Sequence, residues 1–200
     1  MDVVCLDLEG VLVPEIWIQF AQVAGIDALK KTTRDVADYD ELMRFRLDVL
    51  RQHKLGLREI ESVIQTMSPL DGAAEFLDGL RERYQVVILS DTFYEFSRPL
   101  MAQLNWPTLF CHHLVVEAGG EVSGYTMRQP EPKNSSVAAL QSLNFNVIAA
   151  GDSYNDTAML AQADHGFLFR SPANVIEAFP QYRHTNDYDE LRRLIDSVSR

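Results

Sequence analysis

Cysteine is scarce in this chain. Its 200 residues hold 2, Cys5 and Cys111, and nothing has the C-x-x-C spacing of a zinc site or a redox pair. Cys5 lies inside an apolar run and reads as a small buried hydrophobe. Positive charge is also short: 18 Lys and Arg stand against 29 Asp and Glu, a net charge of −11. Nucleic acid and anionic membranes are bound through lysine and arginine, so this balance argues against both as partners. It still permits an anionic substrate held by a local positive cluster and a metal. No apolar run approaches membrane-spanning length, and Met1-Asp2-Val3-Val4 has neither a basic leader nor a cleavage-like site, so a cytoplasmic protein is expected. No repeat or low-complexity stretch is visible. Hydrophobic residues at 46% and charged residues at 24% suit an ordinary globular chain, long enough for one core with a small insertion.

What is present begins with Val3 to Leu6, an apolar and β-branched run with the length of a buried strand. Asp7 and Glu9 follow it, with Gly10 behind them. Two carboxylates so placed repel each other unless a metal or a proton offsets the charge. Alone, they are read as readily as the start of a turn. From Glu15 to about Met67 the spacing is helical, with apolar faces at Ile16, Phe20 and Val23, then within 40–53, then at Ile60, Val63 and Ile64. Residues 30–38 between them are polar and expected to be irregular. Asp71 is the expected N-cap of a helix through Tyr84. A second strand, Gln85 to Leu89, ends at Ser90-Asp91-Thr92, and Phe93 to Leu104 is helical. A short strand at Leu109 and Phe110 precedes a hairpin over 114–127 around Gly119-Gly120. Pro130 and Pro132 argue against regular structure before Lys133. A helix over 136–143 leads to a third strand, Val147 to Ala150, ended by Gly151-Asp152-Ser153-Tyr154-Asn155-Asp156. A short helix to about Ala163, a strand over 166–169 and a helix over 187–198 complete the chain.

Strands alternating with helices predict an α/β fold, a doubly wound and mostly parallel sheet with helices on both faces. The expected core is 1–14 and 69–200, with a helical insertion over 15–68. Right-handed crossovers bring the carboxyl ends of parallel strands to one edge, so Asp7, Ser90 and Asp152 should converge. The cluster then contains Asp7, Glu9, Asp152 and Asp156, with Ser90 and Lys133 as its hydroxyl and positive members. Carboxylate oxygens suit Mg²⁺. A hard cation beside a lysine and a hydroxyl is what a transferring phosphoryl group needs, and an aspartate can be its nucleophile.

These residues resemble the haloacid dehalogenase superfamily of phosphohydrolases, over nearly the whole chain. Asp7-Leu8-Glu9-Gly10 is similar to the family's first motif, Ser90 to its second, Lys133 to its third and Gly151 to Asp156 to its fourth. The insertion matches the helical cap that follows the first motif. Within the superfamily the cap is similar to that of phosphoserine phosphatases. Leu8-Glu9-Gly10-Val11-Leu12-Val13-Pro14-Glu15 and Leu89-Ser90-Asp91-Thr92-Phe93-Tyr94-Glu95-Phe96 resemble the bacterial branch that joins phosphoserine phosphatase to homoserine phosphotransferase activity. The resemblance implies L-phosphoserine as substrate, homoserine as a conceivable acceptor, and a homodimer. It implies Asp7 as nucleophile and Glu9 as general acid and base. It implies Mg²⁺ held by Asp7, the backbone carbonyl of Glu9 and Asp152, with Asn155 and Asp156 behind them. Ser90, Lys133 and the Asp91 amide would hold phosphate oxygens, Arg46 the substrate carboxylate and Glu15 its ammonium.

Two positions depart from the family pattern: Glu9, where the first motif has aspartate, and Asp91, where phosphoserine phosphatases tend to have glycine. A carboxylate against phosphate repels it, so the Asp91 side chain is expected to point elsewhere. His112 and His113 lack metal-like partners and read as structural, Phe93, Tyr94 and Phe96 as core or pocket wall, Met43 as cap packing or substrate contact. Three other functions use similar residues. A related phosphatase would act on another small phosphate ester. A receiver module phosphorylated on aspartate also joins an acidic pair, a hydroxyl and a lysine on a doubly wound sheet, but lacks a helical insertion after the first strand. A degenerate binding protein would not need every charged position filled.

Overall fold

A computed structural model describes residues 1–32, 35–36 and 38–200. In chain order its strands are β1 (Asp2–Leu6), β2 (Gln85–Phe93), β3 (Thr108–Val116), β4 (Val122–Thr126), β5 (Asn146–Gly151), β6 (His165–Phe169) and β7 (Arg183–Thr185). They form one sheet in the order β4-β3-β2-β1-β5-β6-β7. Every pairing is parallel except β3 with β4, which close an antiparallel hairpin. The chain fills one side of β1 and then the other. The carboxyl end of β1 is therefore the switch point where such sheets bind ligands.

Strand periodicity divides the core between the two faces of the sheet. Val4 and Leu6 point into one hydrophobic cluster with Ile88, Ile148 and Ala150. Val3 and Cys5 point into a second with Val87, Leu89, Val147 and Ala149. β1 is buried at every position, which is why it reads as a continuous apolar run. Burial pushes the Cys5 thiol up to about 12, so it behaves as the inert hydrophobe expected of it.

The helices are α1 (Ile16–Ala24), α2 (Tyr39–Gln52), α3 (Leu57–Ile64), α4 (Ala73–Arg81), α5 (Tyr94–Gln103), α6 (Pro132–Ser142), α7 (Thr157–Gln162), α8 (Ala173–Ala178) and α9 (Tyr188–Val198). The first three lie between β1 and β2, where the helical insertion was expected. Asp38 caps α2 by accepting the Glu41 N–H at 2.8 Å. Leu12, Ile16, Trp17 and Phe20 join the first hydrophobic cluster, so one continuous core runs from the sheet into the insertion. Trp17 meets Phe96 edge to face at 5.3 Å. Phe93 and Phe96 are fully buried core rather than pocket wall. No helix among the described residues is long and apolar enough to cross a membrane.

Several local expectations are corrected. Gly72, not Asp71, is the N-cap of α4. The short strand at Leu109 and the first arm of the hairpin are one strand, β3. β2 runs on to Phe93, but its register on β3 shifts between Leu89 and Phe93, leaving Ser90-Asp91-Thr92 on an irregular stretch. α6 starts four residues early, because Pro132 occupies its first turn, where the missing N–H costs nothing. That places Lys133 on a helix rather than a loop. A 3-10 turn at Asp27–Lys30 ends on the first residue of the segment expected to be irregular, of which 33, 34 and 37 lie outside the described residues. α8 and the three-residue β7 carry no periodic signal and were not anticipated.

Candidate active site

Beyond β1 the chain makes a tight turn. Gly10 N–H donates to Val13 O at 2.8 Å, and the Leu12 and Val13 amides return to Leu8 O. Gly10 has φ +80, and a Cβ there would stand 2.6 Å from the Asp152 carboxyl. Only glycine lets the first and fourth motifs close on each other here. The same turn carries the Glu9 carboxylate to the start of α1, where it accepts the Ile16 N–H at 2.8 Å. Glu9 thus supplies the side-chain cap that the N-cap residue, Glu15, does not.

Lys133 ties the strand ends together. It is 4% exposed, and its Nζ donates to Asp156 Oδ1 at 2.7 Å. It also lies 2.9 Å from Asp7 Oδ1 and 3.5 Å from Asp91 Oδ2. Burial alone would lower its pKa, but Asp156, Asp7 and Asp91 outweigh burial and hold it well above the ordinary value. Asp156 is saturated with donors: its Oδ2 accepts the amides of Asp152 and Ser153, at 3.0 and 3.1 Å, and the Ser153 hydroxyl. Gly151 permits this, since a Cβ there would come within 2.5 Å of Asp156.

Oxygens of Asp7, Asp152 and Asp156 lie within 4.8 Å of one another. Burial, and then the neighbouring Asp156, push Asp7 well above the carboxylate range. Burial, Asp156 and Glu15 push Asp152 up to about 7. A buried acidic cluster so poorly balanced by one lysine fits a hard divalent cation, which would relieve the repulsion. Because the oxygens of Asp156 are already occupied by Lys133, Ser153 and the Asp152 amide, Asp7 and Asp152 have the freer oxygens.

These groups open onto a cleft of about 750 Å³. Asp7, Glu9, Glu15, Arg46, Ser90, Asp91, Lys133, Asp152 and Asn155 all line it, and Asp156 lies buried beneath. Every expected site residue therefore converges. Ser90 Oγ accepts the Thr92 N–H at 3.2 Å, which leaves its own proton to donate. Glu9 titrates near the neutral range, pushed up to about 7 by burial and by Glu15. Arg46 is 6% exposed. Its Nη2 donates to Lys31 O at 2.8 Å, its guanidinium lies 4.5 Å over the Trp17 ring, and its Nε has no hydrogen-bond partner among the described residues. Burial pushes it down to about 10. Met43 is wholly buried, with its sulfur against Arg46, and packs in the insertion rather than lining the cleft.

Asp91 does not leave the site. Its Oδ2 accepts from Asn155 Nδ2 at 3.1 Å and faces Lys133, while its Oδ1 faces His112 Nε2 at 3.6 Å. Burial would raise it, but Lys133, His112 and Asn155 prevail and hold it below the usual carboxylate range. Two further residues stand against Asp91. Tyr39 donates its hydroxyl to Asp91 O at 3.0 Å. His112, expected to be merely structural, stands against the Asp91 carboxylate, whereas His113 is exposed and pairs with Glu95. Neither has a sequence signal, since both act by convergence from distant elements.

The model of the haloacid dehalogenase-like hydrolases matches residues 1–164. The chain belongs to this hydrolase family. Among relatives, it is 60% identical over 193 residues to the phosphoserine phosphatase ThrH of Pseudomonas aeruginosa, covering 96% of this chain and 94% of that one. It is 58% identical over 193 residues to a phosphoserine phosphatase of Pseudomonas syringae pv. tomato, with 96% and 81% covered. In fold, this haloacid dehalogenase-like chain superposes on an apo phosphoserine phosphatase with a TM-score of 0.79 at 20% identity, over 99% of each chain. A phospho-aspartyl intermediate analogue of phosphoserine phosphatase superposes equally well, with a TM-score of 0.79.

Proposed function

We propose that this chain is a Mg²⁺-dependent phosphoserine phosphatase working through an aspartyl-phosphate on Asp7. The observation that carries this is the division of one cleft between two buried cations. Lys133 stands among carboxylates, and Arg46, which also lines the cleft, has no carboxylate within 4 Å among the described residues. A substrate with a phosphate at one end and a carboxylate at the other satisfies both. The relatives' names agree with that choice.

Ser90, Lys133 and the Asp91 amide hold the phosphate oxygens, Arg46 takes the substrate carboxylate and Glu15 its ammonium. One Asp7 oxygen attacks phosphorus, and the bond from phosphorus to the serine oxygen breaks. The protonated Glu9 carboxyl gives its proton to that leaving oxygen, and serine departs. Glu9, now ionised, takes a proton from water as the water oxygen attacks the same phosphorus. Phosphate leaves and Asp7 is restored. A pKa near 7 suits both halves, since the group must give a proton and then take one. The Ile16 N–H fixes where the Glu9 carboxylate lies, which is how glutamate serves where the family pattern has aspartate. Asp7, the Glu9 carbonyl and Asp152 would hold Mg²⁺, which would supply charge neutralisation to the phosphoryl group.

An alcohol in place of water would give phosphoryl transfer from the same residues, and homoserine is the acceptor proposed. One assay separates the outcomes: L-phosphoserine, Mg²⁺ and protein, with and without L-homoserine, following inorganic phosphate and phosphohomoserine. Phosphate release is expected, with phosphohomoserine rising at its expense if homoserine is accepted. If an aryl phosphate is cleaved but phosphoserine is not, the roles of Arg46 and Glu15 are wrong. If Asp7→Asn stays fully active, the nucleophile is wrong.

A further inference from the structure

His112 sits on β3, outside the four motifs, and is 0% exposed. Its Nδ1 accepts the Arg128 N–H at 3.2 Å, so the ring proton resides on Nε2. That Nε2 is a buried donor with no hydrogen-bond partner. The carboxylate in front of it is Asp91, 3.6 Å away, a distance long for a hydrogen bond but closed by a shift of a few tenths of an ångström. Aromatic rings fix the imidazole from two sides, Phe93 at 6.2 Å and Tyr39 at 6.5 Å. Asp91 itself is pulled two ways. Asn155 donates to Oδ2 and His112 faces Oδ1, while Lys133, to which the proposed function gives a phosphate oxygen, is 3.5 Å from Oδ2.

We infer that His112 is a positioning residue that keeps the Asp91 carboxylate parked beside the phosphate site, so that Lys133 stays available to the substrate's phosphate. This rests on the proposal that Ser90, Lys133 and the Asp91 amide hold phosphate. Without the imidazole donor, Asn155 alone restrains the carboxylate from closing the remaining distance to Lys133. There it competes with phosphate as an anion already in place. Neutralising Asp91 removes the competitor, so the importance of His112 depends on the charge at 91.

A double-mutant cycle measures that dependence. The probe is inorganic phosphate, and its Kd for the intact protein in Mg²⁺ is read by calorimetry. His112→Leu is expected to weaken phosphate binding about tenfold, the scale of losing a donor to a charged group. In the Asp91→Asn background the same substitution is expected to change the Kd less than about twofold. His112→Gln, which keeps a donor at the Nε2 position, is expected to stay within about threefold of the unsubstituted protein. Loss of the Arg128 N–H contact is common to both arms of the cycle and cancels. Should His112→Leu not fold, His112→Asn replaces it, since it keeps an acceptor for Arg128 but is too short to reach Asp91. An additive cycle, or a Gln variant as weak as the Leu variant, overturns the role of His112. Ser90→Ala is the control for the site itself: unchanged phosphate affinity in that variant would remove the phosphate assignment, whereas a loss there with an additive cycle would remove only the His112 proposal.

Discussion

Lys133 and Arg46 are buried to almost the same degree, at 4% and 6% exposure, yet their surroundings are opposite. Lys133 has Asp7, Asp91 and Asp156 within 4 Å. Arg46 has no carboxylate within that distance among the described residues, and rests on a backbone carbonyl, a thioether and an indole face. The protein's own charges already balance the lysine, and that balance orders the strand ends. The arginine's charge is desolvated and offset only at longer range, by Glu9 and Glu15, a costly arrangement for stability alone. The proposed function completes that balance with the substrate carboxylate. One cation is held by close carboxylates and the other is left open toward the cleft.

The largest break in that comparison is Lys133→Met. Removing the ammonium leaves three carboxylates facing one another. We expect a loss of about 3 kcal/mol or more of stability in the metal-free protein, on the scale of breaking a buried ion pair. We expect at least about a 10²-fold loss of kcat, on the scale of removing one donor to transition-state charge. A variant as stable and active as the parent would mean that the cluster does not depend on Lys133.

Arg46→Met should do the reverse. Stability measured by thermal melting should hold or rise, because an unpaired buried charge is replaced by an apolar chain of similar reach. KM for phosphoserine should rise about 100-fold, the scale of truncating one side of a buried charge pair. Turnover of an aryl phosphate without a carboxylate should change less than about twofold. Equal losses on both substrates would place Arg46 with the chemistry rather than with specificity.

A titration sharpens the contrast within the acidic end. The Glu9 carboxyl is raised from 4.5 to about 7 in the fold. Between those values the folded protein binds more protons than the unfolded chain, so the stability slope with pH is negative. Glu9's stabilisation is complete below about pH 4.5 and lost as pH rises through about 7, and for Glu9 alone amounts to about 3 kcal/mol. Asp152, also raised to about 7, acts in the same direction. Asp91 acts in the opposite one, because its pKa is lowered, but its window lies in more acidic solution. In chelator, melting temperature should fall from pH 5 to pH 7.5, and the Glu9→Gln variant should show a shallower fall. A flat or rising profile would mean that Glu9 is solvated.

Much of this was legible in the chain because strands buried on both faces announce themselves. Val3 to Leu6 and Val147 to Ala150 are unbroken apolar runs, and the residues at their ends, Asp7 and Asp152, inherit a predictable place. Lys133 was legible only through its order among the motifs; its helix was not, because Pro132 reads as a breaker until it is known to sit at a first turn. Arg46 could be placed on a helix, but an arginine's burial and lack of partners are properties of packing, not of spacing. Tyr39 and His112 were illegible for the same reason. One comes from the insertion and the other from the hairpin strand, and they meet Asp91 only because α2 packs against that hairpin.

That packing sets the smallest expected effect. The Tyr39 hydroxyl, at the first residue of α2, bonds the Asp91 carbonyl, and the Tyr125 hydroxyl on β4 bonds Asp40. The insertion is thus latched to the Asp91 backbone and to the hairpin. Tyr39→Phe removes one neutral hydrogen bond, about 1 kcal/mol, and keeps the ring against His112 and Tyr125. KM for phosphoserine and the Kd of inorganic phosphate should each rise a few-fold, with kcat nearly unchanged, because the latch fixes the Asp91 carbonyl, and through it the local backbone, without touching the reacting atoms. A rise in KM for phosphoserine with no change in phosphate affinity would instead tie Tyr39 to the Arg46 end. The latch would then belong to substrate selection rather than to the phosphate site.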